Sequence, residues 1–104
     1  MTQNTVPIAC HIDALSEQEQ RRRQDLFTQV RAVIAETREL KDGFAWRIPA
    51  EIALDGRVSE LIALERRCCP FFRFSLEFEE SDGPVWLTIT GPPGVKDFIR
   101  TGMG

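Results

Sequence analysis

The sequence predicts an α+β fold: a two-layer domain with an antiparallel sheet of about four strands and helices on one face. Three observations lead there. Phe72, Phe74, Leu76 and Phe78 alternate with Arg73, Ser75, Glu77 and Glu79, the period of a strand with one buried face. Val85, Leu87 and Ile89 repeat that alternation after a Ser81-Asp82-Gly83 turn. A stripe of helical spacing precedes each strand pair, so the order reads helix, two strands, helix, two strands, short helix.

Taken in order, residues 7–12 read as a short strand with Ile8, Cys10 and Ile12 on one face, which aims Cys10 inward and His11 outward. Ser16 followed by Glu19 is a capping box and starts a helix. Leu26, Val30, Val33 and Ile34 form its apolar stripe, Phe27 widens it, and it ends near Ala35. Residues 36–40 and 44–48 read as a hairpin around Lys41-Asp42-Gly43. A two-residue Asp42-Gly43 loop would pair Glu39 with Trp46; the three-residue loop is preferred, and it pairs Leu40 with Phe44 and sets Arg38 beside Trp46. Pro49 ends that strand. The second helix runs from about Asp55 to Cys68, and Cys69, preceding Pro70, is pushed out of helical geometry. Phe72, Phe74, Leu76, Phe78, Val85, Leu87 and Ile89 are the expected core of the second strand pair. Gly91-Pro92-Pro93-Gly94 closes the last strand, and Val95, Phe98 and Ile99 mark the last helix.

A length of 104 residues suits one domain, 1–104, that can bury roughly two-thirds of its unfolded surface and needs no metal or disulfide to fold. A net charge of −3 supplies no basic field for nucleic acid. The one basic cluster, Arg21-Arg22-Arg23, lies among acidic and amide residues and reads as a solvated helix face. No apolar run approaches the ~20 residues of a membrane span, and no signal-peptide core stands near the start. Three cysteines, two of them adjacent, make a poor disulfide framework. The expectation is a reduced, cytoplasmic protein.

The most informative stretch is Glu65-Arg66-Arg67-Cys68-Cys69-Pro70-Phe71-Phe72. Val58, Leu61 and Ile62 carry the apolar face of the second helix, and at 3.6 residues per turn that face continues through Glu65 to Cys68 and Cys69. A carboxylate there must be paired, hydrogen-bonded, protonated or metal-bound, since burying it bare costs several kcal/mol or more. Arg38 and Arg73 are the suggested partners. Clustered thiols suit soft ions such as zinc, copper, mercury or arsenite. Adjacent residues rarely aim both side chains at one ion, but the change to extended chain at Pro70 removes that objection. Cys10 is the candidate third thiolate and Glu65 an assisting ligand, so the candidate metal residues are Cys68, Cys69, Cys10 and Glu65. The negative end of the helix raises a thiol pKa, while Arg66, Arg67 and Arg73 oppose that if close. The competing reading is that the cysteines simply pack as small hydrophobes.

Other features read as structure. His11, the sole histidine, is turned away from Cys10. The phenylalanine strand is an ordinary core strand. Two prolines deprive Gly91-Pro92-Pro93-Gly94 of the amide donors a phosphate loop needs. No catalytic site stands out, and with no histidine placed as a base a thiol enzyme is disfavoured.

The stretch Leu64 to Phe74 resembles a bacterial domain found as the C-terminal portion of some MerR-type, heavy-metal-responsive regulators and also alone. The E-x-x-C-C-x-F-F-x-F block at Glu65, Cys68, Cys69, Phe71, Phe72 and Phe74 carries the resemblance. An inward cysteine near the start, an Arg-rich first helix, a glycine-turn hairpin and a closing strand ending in Gly91-Pro92 accompany it. The resemblance implies a bacterial cytoplasmic sensor or accessory domain that is thiophilic. This sequence has no winged helix-turn-helix to bind DNA. The expected function is soft-metal or metalloid binding through the Cys-Cys pair; the alternative is a small-ligand or protein-interaction module. Expected partners are a metal or small ligand, and a protein partner or a second copy.

Overall fold

The computed structural model describes residues 10–102. A 3-10 turn, Ile12–Ala14, precedes α1 (Glu17–Ala32). The hairpin β1 (Glu36–Leu40) and β2 (Gly43–Ile48) leads into α2 (Ala50–Leu54) and α3 (Arg57–Cys68). A second hairpin, β3 (Arg73–Phe78) and β4 (Val85–Thr90), is followed by α4 (Val95–Gly102). The four strands form one antiparallel sheet in the order β1-β2-β4-β3. The α+β two-layer reading therefore holds.

The proposed strand over 7–12 does not form within the described residues. Residues 7–9, Ile8 among them, lie outside those residues, and Ile12 opens the 3-10 turn with its side chain exposed. Cys10 is nonetheless half-buried and His11 exposed, because the His11 N–H donates to the Cys68 carbonyl at 2.7 Å and pins the chain to the end of α3. The capping box is complete: the Glu19 N–H donates to Ser16 Oγ at 3.1 Å and the Ser16 N–H to Glu19 Oε1 at 2.9 Å.

The first hairpin has a two-residue loop, Lys41-Asp42, in neither of the two expected registers. Leu40 pairs with Gly43 across Lys41-Asp42, so Thr37 rather than Arg38 faces Trp46, and the preferred three-residue register is wrong. Gly43 is required in the ladder itself. A Cβ there would stand 1.9 Å from the Ile89 carbonyl oxygen, so β2 can approach β4 only without a side chain at that point. Arg38 consequently lies on the outer sheet face, its guanidinium 4.1 Å from the centre of the Trp86 ring. The Trp86 indole N–H donates to Glu79 Oε2 at 2.6 Å, and the ring is buried although it faces away from the helices.

The expected second helix, about Asp55 to Cys68, is α3, which starts two residues later than expected, and α2 ahead of it is a short helix that the spacing did not predict. Gly56, at φ 97, adopts the left-handed conformation between α2 and α3. The inner sheet face carries Phe44, Ile48, Val85, Leu87 and Ile89, which with Leu26, Val30, Val58, Leu61 and Leu64 form the core, and Trp46 on the same face is half-buried against it. Of the expected core residues Phe72, Val85, Leu87 and Ile89 are buried, Phe74 and Leu76 half-buried, and Phe78 is 49% exposed. The burial of β3 decays because it is an edge strand, so the far end of its apolar row has one neighbouring strand and no cover. Glu39, on edge strand β1, ties α4 to the sheet through ion pairs with Lys96 and Arg100.

Candidate metal centre

Three sulfurs meet at the end of α3. The ligand atoms of Cys10, Cys68 and Cys69 lie within 4.8 Å of one another. Cys69 Sγ is 3.6 Å from Cys10 Sγ and 3.7 Å from Cys68 Sγ. All three are free thiols; Cys68 and Cys69 are buried and Cys10 is half-buried. Backbone geometry produces the convergence. Cys68 is the last helical residue, and Cys69, held back by Pro70, turns to φ −127 and ψ 72. Its N–H still closes the last helical turn onto the Glu65 carbonyl at 2.6 Å, and its own carbonyl accepts from Phe72 at 3.2 Å. Two neighbours thus leave the chain in different directions and close on one point from two sides. The His11–Cys68 backbone bond brings Cys10 to the same point.

Glu65 is 1% exposed, one turn before the thiols. Its Oε1 lies 3.5 Å from Cys68 Sγ, within reach of the S–H. Its charge partner is neither Arg38 nor Arg73 but Arg23, whose Nη2 lies 3.0 Å from Glu65 Oε2 and donates to Oε1 at 3.2 Å. Arg73 is exposed on the outer face. The basic cluster is accordingly not one solvated face. Arg22 meets Glu60 in the open at 2.8 Å, while the Arg23 side chain is only 15% exposed. The signal for Arg23 was present: it stands one turn before Leu26 and two before Val30, on the stripe that α1 buries. Each of two packed helices thus breaks its apolar stripe once, with opposite charges at facing positions.

Burial, reinforced by the Glu65 carboxylate, pushes the Cys68 thiol up to about 12 and the Cys69 thiol higher still. Burial alone would lower Arg23, but the Glu65 carboxylate outweighs it and holds the guanidinium above its ordinary value. Arg66 and Arg67 are exposed, and Arg67 turns away to Glu19 at 2.6 Å. The buried pair is thus protonated at neutral pH, a state that favours packing and makes a poor nucleophile. An ion must displace those protons to bind. The spacing suits one: thiolates each about 2.3 Å from a common zinc at tetrahedral angles stand roughly 3.8 Å apart.

Beside the thiols, between α1, α3 and the inner sheet face, lies a cleft of about 320 Å³. Glu65 is in its lining together with Trp46, Ile62 and Phe74. Among the described residues no helix is long and apolar enough to cross a membrane. Compared with known proteins, the chain matches no family model, no curated protein and no solved structure.

Proposed function

We propose that this domain binds a soft metal or metalloid ion through Cys68 and Cys69, with Cys10 as third ligand and Glu65 assisting. The observation that carries the proposal is the meeting of three sulfurs within 4.8 Å from two separate parts of the chain. Arg23 belongs to the same unit. Its positive charge partly opposes the rise at Cys68, and it offsets Glu65. The ion's identity follows from ligand softness only as a class: zinc, copper(I), mercury or arsenite. A relationship to the C-terminal domain of MerR-type, heavy-metal-responsive regulators is part of this proposal, resting on the E-x-x-C-C-x-F-F block, and with it a bacterial, cytoplasmic setting.

The test is competition of reduced protein against a chromophoric chelator under argon, with zinc, copper(I) and arsenite compared. One ion per site should bind, and Cys68→Ser or Cys69→Ser should weaken it far more than His11→Ala, since His11 is exposed. Mercury alone is uninformative because it takes almost any accessible thiol. If Cys68→Ser/Cys69→Ser binds every ion as tightly as the parent, the thiols are packing residues.

A second reading is favoured by the protonated, buried state of the pair and by the cleft alongside it. In that reading the cysteines fill the core, and the domain is a small-ligand or protein-interaction module.

A further inference from the structure

The cleft offers more than an imperfectly packed seam. Trp46, Phe27 and Phe74 supply aromatic surface, and all three remain half-buried, as does Ile62 opposite them. A folded chain gains by covering such surface, so a cluster of half-covered large side chains around one concavity marks a binding site. Its volume of about 320 Å³ sits at the lower end for ligand pockets, ~300–1,000 Å³, which limits the occupant to one or two rings.

The polar component sets the ligand's chemistry. Glu65 lines this cleft, is 1% exposed, and its Oε2 accepts no hydrogen bond although it lies 3.0 Å from Arg23 Nη2. An oxygen held only by an ion pair without an aligned hydrogen bond keeps its capacity to accept one, so the site favours a ligand that brings a donor. The charge of that ligand is also constrained. Arg23 already balances Glu65, and Arg31 stands in the cleft wall with its guanidinium 5.1 Å from the centre of the Phe27 ring. The Arg23–Glu65 pair thus offers no net charge to either a cation or an anion, and both would lose their hydration in a cleft lined mainly by apolar side chains.

We propose that the cleft between α1, α3 and the sheet binds a small, neutral aromatic molecule carrying one hydroxyl, which donates its hydrogen bond to Glu65 while its ring lies among Trp46, Phe27 and Phe74. This rests on the small-ligand reading and needs no ion at the cysteines.

The probe is 2-naphthol, set against 2-methoxynaphthalene, which has the same rings and no donor. Titrations are followed by ¹H–¹⁵N NMR in chelator-treated buffer. The two indole N–H groups give an internal comparison, because Trp46 lines the cleft and Trp86 is on the opposite sheet face, bonded to Glu79. The expected result is a saturable shift of the Trp46 indole with that of Trp86 unmoved, and affinity for 2-methoxynaphthalene lower by about tenfold or more. Ile62→Trp, which fills the cleft from a half-exposed position, should abolish the 2-naphthol shift. Equal affinity for both probes overturns the assignment of Glu65 as acceptor and leaves the small-ligand reading standing. No movement of Trp46 with either probe overturns both. Undiminished binding by Ile62→Trp places the site elsewhere and overturns the proposal.

Discussion

Arg23→Ala removes one member of a charge pair whose other member, Glu65, is 1% exposed. The carboxylate left behind keeps its position between Leu61, Leu64 and Cys68, where water cannot replace the guanidinium without opening the contact between α1 and α3. Removing one partner of a buried pair typically costs ~3–5 kcal/mol. With a urea slope of about 1.5 kcal/mol per M, in the range of small domains, the unfolding midpoint falls by roughly 2–3 M. That is a large part of the ~5–15 kcal/mol expected for a whole domain, so the variant should be only marginally folded. Arg22→Ala is the control one residue away. Its partner Glu60 is exposed, and its midpoint should match the parent's. The double variant Arg23→Met/Glu65→Met removes both charges and should recover most of the loss, because apolar replacement of a buried pair is often neutral or better. Urea melts followed by circular dichroism decide it. An Arg23→Ala loss below about 1 kcal/mol, or a double variant weaker than Arg23→Ala, would refute the argument that Glu65 depends on this one charge.

The remaining expectations can be checked with the same material. Because the folded Cys68 thiol is raised from 9.0 to about 12, the native state keeps its proton where the unfolded chain loses it. The Cys68 share of stability is complete below about pH 9 and lost between about pH 9 and 12, by up to ~1.4 kcal/mol per pH unit; Cys68→Ala should remove that share of the fall in melts across the window and leave the share of Cys69. If an ion binds, it expels at least the two protons of Cys68 and Cys69. Apparent affinity should therefore rise at least about a hundredfold per pH unit from about pH 6 to 8, and a pH-independent constant would contradict thiolate ligation. Leu87→Ala should cost ~2–5 kcal/mol, whereas Phe74→Ala, at a half-buried edge position, should fall short of the ~3–5 kcal/mol of a fully buried phenylalanine. Gly56→Ala should cost ~1–2 kcal/mol through φ alone, since a Cβ there meets nothing within 4 Å; an unchanged melt would mean that the α2–α3 junction relaxes.

What the sequence made legible follows from the range of each cause. Helical spacing placed Glu65 inside and carried the face to both thiols, because that is a local consequence of one residue in 3.6 per turn. The same spacing placed Arg23 on the inward stripe, but reading Arg21 to Arg23 as one charge run averaged an exposed Arg22 with a half-buried neighbour. The hairpin register was not local. Glycine at 43 suggested a loop position, whereas its cause is β4, which passes too close for a Cβ and is far away in sequence. The exposure of Phe78 depends on strand order, and alternation within β3 says nothing about which strand stands at the edge. The hydrogen-bond vacancy on Glu65 and the cleft beside it arise from how α1 and α3 meet the sheet, which no single segment encodes.

The bond from the His11 N–H to the Cys68 carbonyl makes the third sulfur a matter of kinetics as well as geometry. One backbone amide both finishes α3, whose last carbonyls have no partners of their own, and delivers Cys10. Withdrawal of the chain at residue 11 therefore frees the amide and removes the sulfur in a single local opening. Hydrogen exchange at His11 counts those openings. An ion gripping all three sulfurs must slow that exchange in proportion to its occupancy, and an ion held by Cys68 and Cys69 alone must leave it unchanged. The number of protein ligands is thus written in the clock rate of one exposed residue's amide.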